Sequence, residues 1–191
     1  RWFLASYHGS GEVGIYSIGA TVGTVGMAVS MAITSAWLPE LARAEAAPDA
    51  DPGARRGELS QMLVAAMWVV WLAVMAAGGD MIRLLADERF HAATTVVPWL
   101  ATGVLFYGVM HVGNAQLILL GKLQWAAAAW MCVLVLSLAL NAQLVSSYGG
   151  LGAACAQAIC FFVIMVLVWI PVLRILPIKL NWGRLGASSA M

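Results

Sequence analysis

The chain has 191 residues, of which 62% are hydrophobic and 10% are charged, and its formal net charge is +1. Soluble domains carry roughly 25% charged residues. This composition, together with a mean hydropathy of +0.88, therefore predicts an integral membrane protein. The small net charge and the lack of a basic run argue against a nucleic-acid partner. The three cysteines lie in apolar stretches without CxxC spacing, which favours helix packing over a disulfide or a metal site.

The first predicted membrane helix covers about residues 13–38. The 27 residues between Glu12 and Glu40 are uncharged, and a helix of that length extends about 40 Å, more than a bilayer core of about 30 Å requires. Small residues recur on one face of this helix: Gly19, Gly23, Gly26, Ser30 and Thr34. This face indicates close packing against another helix, although scattered glycines are also common in membrane helices. Pro39 is expected to end the helix.

Four further membrane helices are predicted from the other uncharged runs. They cover about residues 59–78, 92–120, 125–145 and 151–173. A polar linker at about residues 40–58 follows the first helix. Residues 123–173 are uncharged and too long for one crossing, so the turn at 146–150 is expected to divide them. The sequence thus predicts an all-α, polytopic protein with one membrane domain, 1–191, and we expect it to be a fragment of a longer chain.

Lys and Arg are distributed unequally between the two predicted sides of the membrane. Three lie on one side, and seven lie on the other: Arg43, Arg55, Arg56, Lys122, Arg174, Lys179 and Arg184. Loops rich in Lys and Arg remain in the cytoplasm. The 40–58 linker and the C-terminus are therefore predicted to be cytoplasmic.

The most polar predicted helix is the one at residues 92–120. Tyr107, His111 and Asn114 fall on one face of it, in phase with Gly103. Because an ionisable side chain inside a membrane bundle is costly, it suggests a functional site. One interpretation is that this face lines a hydrated cavity that contacts a polar substrate. The other is that His111 and Asn114 hydrogen-bond a neighbouring helix.

The sequence predicts no catalytic residues, no cofactor and no metal site. Every carboxylate lies in a predicted loop or near a helix end, and the three histidines are far apart in the sequence. An acid–base pair of the kind that membrane hydrolases or transferases need is therefore not visible. The chain is predicted not to be an enzyme. Asn141 and Gln157, in the last two helices, are interpreted as capping or interhelical hydrogen-bonding residues.

Two stretches resemble the polysaccharide exporters, bacterial flippases of lipid-linked oligosaccharides within the multidrug/oligosaccharidyl-lipid/polysaccharide exporter superfamily. The family has D-R-x-x-L at the end of one helix and E-x-G-x-Y-S at the start of the next, and this chain has all but the aspartate: Arg1, Leu4, Glu12, Gly14, Tyr16 and Ser17. The second stretch, LNAQLVSSYGGLGAACAQ, is similar to the family pattern N-x-x-L-x-x-x-x-G-x-x-G-A-A-x-A. The resemblance extends over nearly the whole chain.

The resemblance implies a two-lobe helical transporter in which this chain forms most of the C-terminal lobe, with the missing N-terminal lobe as its partner. The substrate would be a lipid-linked glycan for polysaccharide or lipopolysaccharide synthesis in the cell envelope. Alternating access would move it across the bacterial cytoplasmic (inner) membrane, among membrane lipids. Arg1 would lie near the cavity, either as a contact for the diphosphate or as an ordinary arginine at a helix end.

Two other functions stay open. A multidrug or cation-coupled extruder of the same superfamily should carry an Asp or Glu within the membrane, and the five predicted helices contain none. A membrane-embedded glycan polymerase or ligase should carry a large periplasmic loop, and the predicted turn at 146–150 is short. The absence of both features from the predicted helices and turn favours the exporter over these two alternatives.

Overall fold

The computed structural model describes residues 2–46 and 52–175, which are helical almost throughout. Its five α-helices are α1 (Trp2–Ala46), α2 (Pro52–Leu85), α3 (Val97–Leu119), α4 (Leu123–Leu140) and α5 (Ser146–Ile175). A 3-10 helix, Glu88–Thr95, precedes α3, and a π-helical segment, Asn141–Val145, joins α4 to α5. The prediction of an all-α fold is confirmed for the described residues.

Among the described residues, four helical runs are long and apolar enough to cross a membrane, judged by length and composition, whereas the sequence predicted five. They are Trp2–Glu40, Arg55–Leu85, Val97–Leu119 and Leu123–Arg174. The difference lies in the last run, because helical structure continues through the expected break at residues 146–150. In this run of 52 residues, Gly149 has non-helical backbone angles (φ 55°, ψ −132°). The four runs support assignment as a membrane protein.

The last run folds back on itself at Gly149. Asn141, before the turn, lines the same groove as Ala153 and Gln157 after it. The two helices also share an apolar cluster whose buried members include Ala126, Ala129 and Val133 of α4 and Ile164, Val168 and Val172 of α5. α4 and α5 therefore pack side by side, although helical structure is nearly continuous between them.

The first two helices extend further into the predicted 40–58 linker than expected, and α1 is interrupted near its start at Gly9, whose backbone is not helical (φ 82°, ψ −179°). Pro39 lies inside α1, so the prediction that it ends the helix is wrong. A proline removes one backbone donor, and a long membrane helix can compensate for that loss locally; Pro39 is also exposed. The predicted 40–58 linker is helical up to Ala46 and again from Pro52. Its central residues, 47–51, lie outside the described part of the chain.

The third helix begins later than predicted, at Val97. Residues 88–95 form a 3-10 helix, and Pro98 falls in the first turn of α3, where the missing N–H has no helical partner to lose. At the other end, Gly121 has a φ of 64°. The backbone N–H of Lys122 donates to Leu117 O at 2.9 Å and that of Gly121 donates to Ile118 O at 3.0 Å. These are the two bonds of a Schellman motif, which ends the helix cleanly.

The central helix of the bundle is α3, which contacts α1, α2 and α5. The small-residue face of α1 lies against it: Gly19, Gly23, Gly26, Ser30 and Thr34 are all buried. A Cβ atom added to Gly26 would lie 3.0 Å from both Val104 of α3 and Val74 of α2. Interhelical packing of this kind depends on small residues that let backbones approach closely.

Candidate functional site

Tyr107 and His111 form an edge-to-face ring pair on α3. Their ring centroids lie 4.5 Å apart with the planes inclined at 64°. The Tyr107 hydroxyl donates a hydrogen bond to the sulfur of Met31 in α1 at 3.3 Å. Both residues are half-buried. The structure thus brings together two of the four predicted cavity residues, while Arg1 lies outside the described residues.

Asn114, one turn further along the same face, has an unusual environment. It is half-buried, and its Oδ1 atom is buried without a hydrogen-bond partner among the described residues. Burying an amide group without a partner costs about 1–3 kcal/mol. Gln116 lies on the opposite side of α3, and its Nε2 donates to Ser60 Oγ of α2 at 2.9 Å, although its Oε1 is likewise buried without a partner among the described residues. Gln116 therefore stabilises helix packing, whereas Asn114 has no such structural bond.

A second polar cluster lies between α1, α4 and α5. The Tyr16 hydroxyl donates to Gln157 Oε1 at 3.0 Å, and Asn141 Nδ2 donates to Ser137 O at 2.8 Å. All four residues line a groove of about 450 Å³. Its other lining residues are apolar, aromatic or cysteine, and no Asp, Glu, Lys, Arg or His is among the described residues that line it.

Phe161 joins the two polar clusters. Its ring lines the groove, and the ring centroid lies 5.2 Å from that of Tyr107. Gln157 and Phe161 are four residues apart on α5 and so share one helix face. An uncharged polar face therefore runs from Tyr16 and Gln157, past Phe161 and Tyr107, to Asn114. We refer to Tyr16, Gln157, Tyr107, His111 and Asn114 as the polar face; the apolar ring of Phe161 lies between its two parts.

A carboxylate lies next to this face. Glu12 is half-buried and lies three residues after Gly9, where the backbone of α1 is not helical (φ 82°, ψ −179°), which agrees with the predicted helix edge. Its Oε2 accepts a hydrogen bond from the backbone N–H of Gly150 at 3.3 Å. The Nε2 atom of His8 lies 2.8 Å from Val145 O, within hydrogen-bond distance. Glu12 and His8 thus connect α1 to the reversal between α4 and α5.

Sequence reasoning identified the α3 residues but missed the partners in the groove. Tyr16 was noticed through the E-x-G-x-Y-S motif, and Gln157 through its position in a membrane helix. Their hydrogen bond joins residues 141 positions apart, so helical periodicity alone gives no signal for it. The one usable signal concerns α1 alone: Glu12 and Tyr16 are four residues apart, so the sequence predicts that they share a helix face.

In the part of the chain that the structure describes, no group of three or more His, Cys, Asp or Glu side chains could hold a metal ion. Comparisons of the chain with protein-family models, with curated proteins and with solved structures return no match. The geometry itself offers an uncharged polar face on an apolar helical bundle and one carboxylate beside it.

Proposed function

We propose that this chain is most of the C-terminal lobe of a flippase that moves a lipid-linked glycan across the bacterial cytoplasmic membrane. A glycan carries many hydroxyl groups, and its passage requires an uncharged path of hydrogen-bonding groups through an apolar bundle. The polar face supplies such groups from three helices: Tyr16 on α1, Tyr107, His111 and Asn114 on α3, and Gln157 on α5. This face is the observation that carries the proposal.

The proposal includes five membrane crossings. A continuous helix of 52 residues would extend about 78 Å, far beyond a bilayer core of about 30 Å. The side-by-side packing of α4 and α5 supports two crossings in this run. The excess of Lys and Arg on one side supports a cytoplasmic location for the segment between α1 and α2 and for the C-terminus. A missing N-terminal lobe would complete the transport path by alternating access.

The proposed activity is transport and not catalysis. On this view Tyr107, His111 and Asn114 contact the glycan by hydrogen bonds, and no bond of the substrate is broken. Arg1 would contribute positive charge near the lipid diphosphate. The lipid tail would stay in the bilayer while the sugar follows the polar face.

One observation favours a second function, a cation-coupled extruder of the same superfamily. Such a protein needs a carboxylate within the membrane, and Glu12 lies inside the helical run Trp2–Glu40. Its carboxylate is half-buried beside the polar face. The hydrogen bond from Gly150 also gives Glu12 a structural role, which either function would need. Only the cation-coupled extruder would require the negative charge of Glu12, whereas the glycan flippase would not.

Complementation of a flippase-deficient strain by the full-length protein tests the proposed function. We expect His111→Ala and Asn114→Ala each to reduce complementation while membrane abundance stays near wild type, with the double variant weaker than either. Each loses one neutral hydrogen bond to substrate, about 0.5–1.5 kcal/mol. Gln143→Ala, at an exposed amide outside the polar face, is the control and should be fully active.

The same experiment can contradict the proposal. If abundance and activity fall in proportion, His111 and Asn114 stabilise the helix bundle and do not contact substrate. Full complementation by the double variant at normal abundance would remove α3 from the transport path. Failure of the wild-type protein to complement, at normal abundance, would argue against glycan transport itself.

A further inference from the structure

The groove between α1, α4 and α5 has the composition of a sugar-binding site. We propose that it binds an uncharged sugar residue of the lipid-linked glycan, through Gln157 and Asn141 and against the ring of Trp130. This inference rests on the proposed function and deepens it, because it assigns the glycan a defined subsite separate from the lipid diphosphate.

The size of the groove suits a small polar ligand. Its volume is about 450 Å³, within the range of about 300–1,000 Å³ that small-molecule sites occupy. Such sites combine mostly apolar walls with a few well-placed polar groups. Here the polar groups come from Tyr16, Ser137, Asn141 and Gln157, and the rest of the wall is mainly apolar.

The hydrogen bonds within the groove leave one donor group and one acceptor group for a ligand. Because Tyr16 donates to Gln157 Oε1, the Gln157 amide is held in place and its Nε2 group has no partner among the described residues. Asn141 uses its Nδ2 group to bond Ser137, and its Oδ1 stays available as an acceptor. A sugar hydroxyl both donates and accepts a hydrogen bond, so it can pair with either amide.

Aromatic rings flank these polar groups. Trp130 lines the groove and is 42% exposed, and Phe161 lines it as a half-buried ring. The C–H face of a sugar ring is apolar and packs on an aromatic face, whose edge and centre carry opposite partial charges. A lipid chain would gain from the rings but not from the two amides.

The described lining of the groove lacks the positive charge that an acidic sugar would need. An ion that is buried without a partner loses its solvation free energy without compensation. The carboxylate of a uronic acid would therefore bind poorly, and the lipid diphosphate must be bound elsewhere. An uncharged sugar meets no such penalty.

Binding to the full-length protein in nanodiscs tests this site with three probes. They are undecaprenyl diphosphate carrying one N-acetylglucosamine, the same lipid carrying one glucuronic acid, and undecaprenyl diphosphate alone. We expect Gln157→Met to weaken binding of the N-acetylglucosamine probe by about 2- to 12-fold, the effect of one lost hydrogen bond. Binding of the lipid without sugar should not change. Gln143→Met, at an exposed amide outside the groove, is the matched control.

A second variant keeps the test independent of folding. Trp130 is exposed, so Trp130→Leu should fold normally, and we expect it to weaken the N-acetylglucosamine probe selectively. Trp125→Leu is its control, because Trp125 is 53% exposed and does not line the groove. We also expect the wild-type protein to bind the N-acetylglucosamine probe more tightly than the glucuronic acid probe.

Three results would overturn the inference while leaving the proposed function in place. The first is unchanged binding of the N-acetylglucosamine probe by both Gln157→Met and Trp130→Leu. The second is an equal loss for the lipid without sugar, which would mean that the groove holds the lipid chain. The third is tighter binding of the acidic probe. Absence of binding of all three probes to the wild-type protein would instead overturn the proposed function.

Discussion

Glu12 Oε2 accepts a hydrogen bond from the backbone N–H of Gly150, a residue 138 positions later in the chain. Gly150 follows Gly149, the point at which α5 departs from helical geometry. A carboxylate on the first helix therefore fixes the reversal between the last two helices. The contact also places the single carboxylate of this region beside the groove, since Tyr16 lies one turn further along the same face of α1.

Substituting Glu12 separates its charge from its hydrogen bond. Glu12→Gln keeps an oxygen that can accept from the Gly150 N–H, so we expect near-normal abundance and full complementation by the full-length protein. Glu12→Leu leaves that N–H without its acceptor, and we expect a loss of about 1–3 kcal/mol in stability with a matching fall in abundance. Thermal unfolding in detergent and membrane abundance measure both effects.

A different outcome for Glu12→Gln would favour the cation-coupled extruder. In that case the amide variant would be as abundant as wild type and yet inactive, because coupling requires the negative charge. Glu40→Gln is the control for a change of charge on the same helix, since Glu40 is exposed at the far end of α1.

Gly149 has a backbone conformation that side chains disfavour. Its φ is 55°, and an added Cβ would lie 3.2 Å from Glu12 Oε2. We expect Gly149→Ala to reduce stability by about 1–3 kcal/mol, the cost of a residue held in a sparsely populated backbone region. Gly79→Ala is the control, because its Cβ would have no neighbour within 4 Å and alanine favours a helix. Equal unfolding temperatures for the two variants would show that Gly149 is not needed for the reversal.

The small-residue face of α1 gives a graded prediction. A Cβ at Gly26 would lie 3.0 Å from Val104 and from Val74, whereas one at Gly23 would lie 3.5 Å from Leu100. The first distance requires a shift and the second is an ordinary contact. Valine side chains have restricted χ1 angles, so we expect Gly26→Ala to lower stability by about 1–3 kcal/mol. Gly23→Ala should be neutral or slightly stabilising.

Thermal unfolding of the two glycine variants measures this difference. The outcome that contradicts it is an unfolding temperature for Gly26→Ala at or above that of Gly23→Ala. Val29→Ala, at an exposed position on another face of the same helix, should leave the unfolding temperature close to wild type.

Uncharged runs were sufficient to predict helices long and apolar enough to cross a membrane, because a bilayer sets a minimum apolar length, although they predicted five where the described residues contain four such runs. They were not sufficient to predict where the helices end. Polar residues such as those before Glu58 mark the end of the apolar region, but the helix of α2 extends through them to Pro52.

The candidate site was predictable to the extent that it lies on one helix. Tyr107, His111 and Asn114 share a face of α3 because of helical periodicity, which the sequence displays. The groove depends on contacts between α1 and α5 and on the reversal at Gly149. The hydrogen bond between Tyr16 and Gln157 results from that tertiary arrangement, and a single sequence contains no pattern that encodes it.

The last prediction concerns the number and direction of the membrane crossings. Exposed positions at three turns, Asp87, Lys122 and Ser147, receive single cysteines in a full-length protein whose native cysteines have been replaced. A membrane-impermeant maleimide is then applied to intact cells. We expect Asp87→Cys and Ser147→Cys to be labelled, and Lys122→Cys to be labelled only after permeabilisation. The reason is that α3 separates the first turn from the second, and α4 separates the second from the third.

Glu58→Cys makes the outcome decisive, because Glu58 is exposed near the start of α2 and should behave like Lys122→Cys. If Ser147→Cys shares the protection of Lys122→Cys while Asp87→Cys is labelled, α4 does not cross the membrane and four crossings remain. If the pattern is reversed at all four positions, the five crossings stand and the orientation is wrong. Since Lys and Arg excess sets orientation in most helical membrane proteins, a reversed pattern would also place the segment between α1 and α2 in the periplasm, contrary to the proposed flippase lobe.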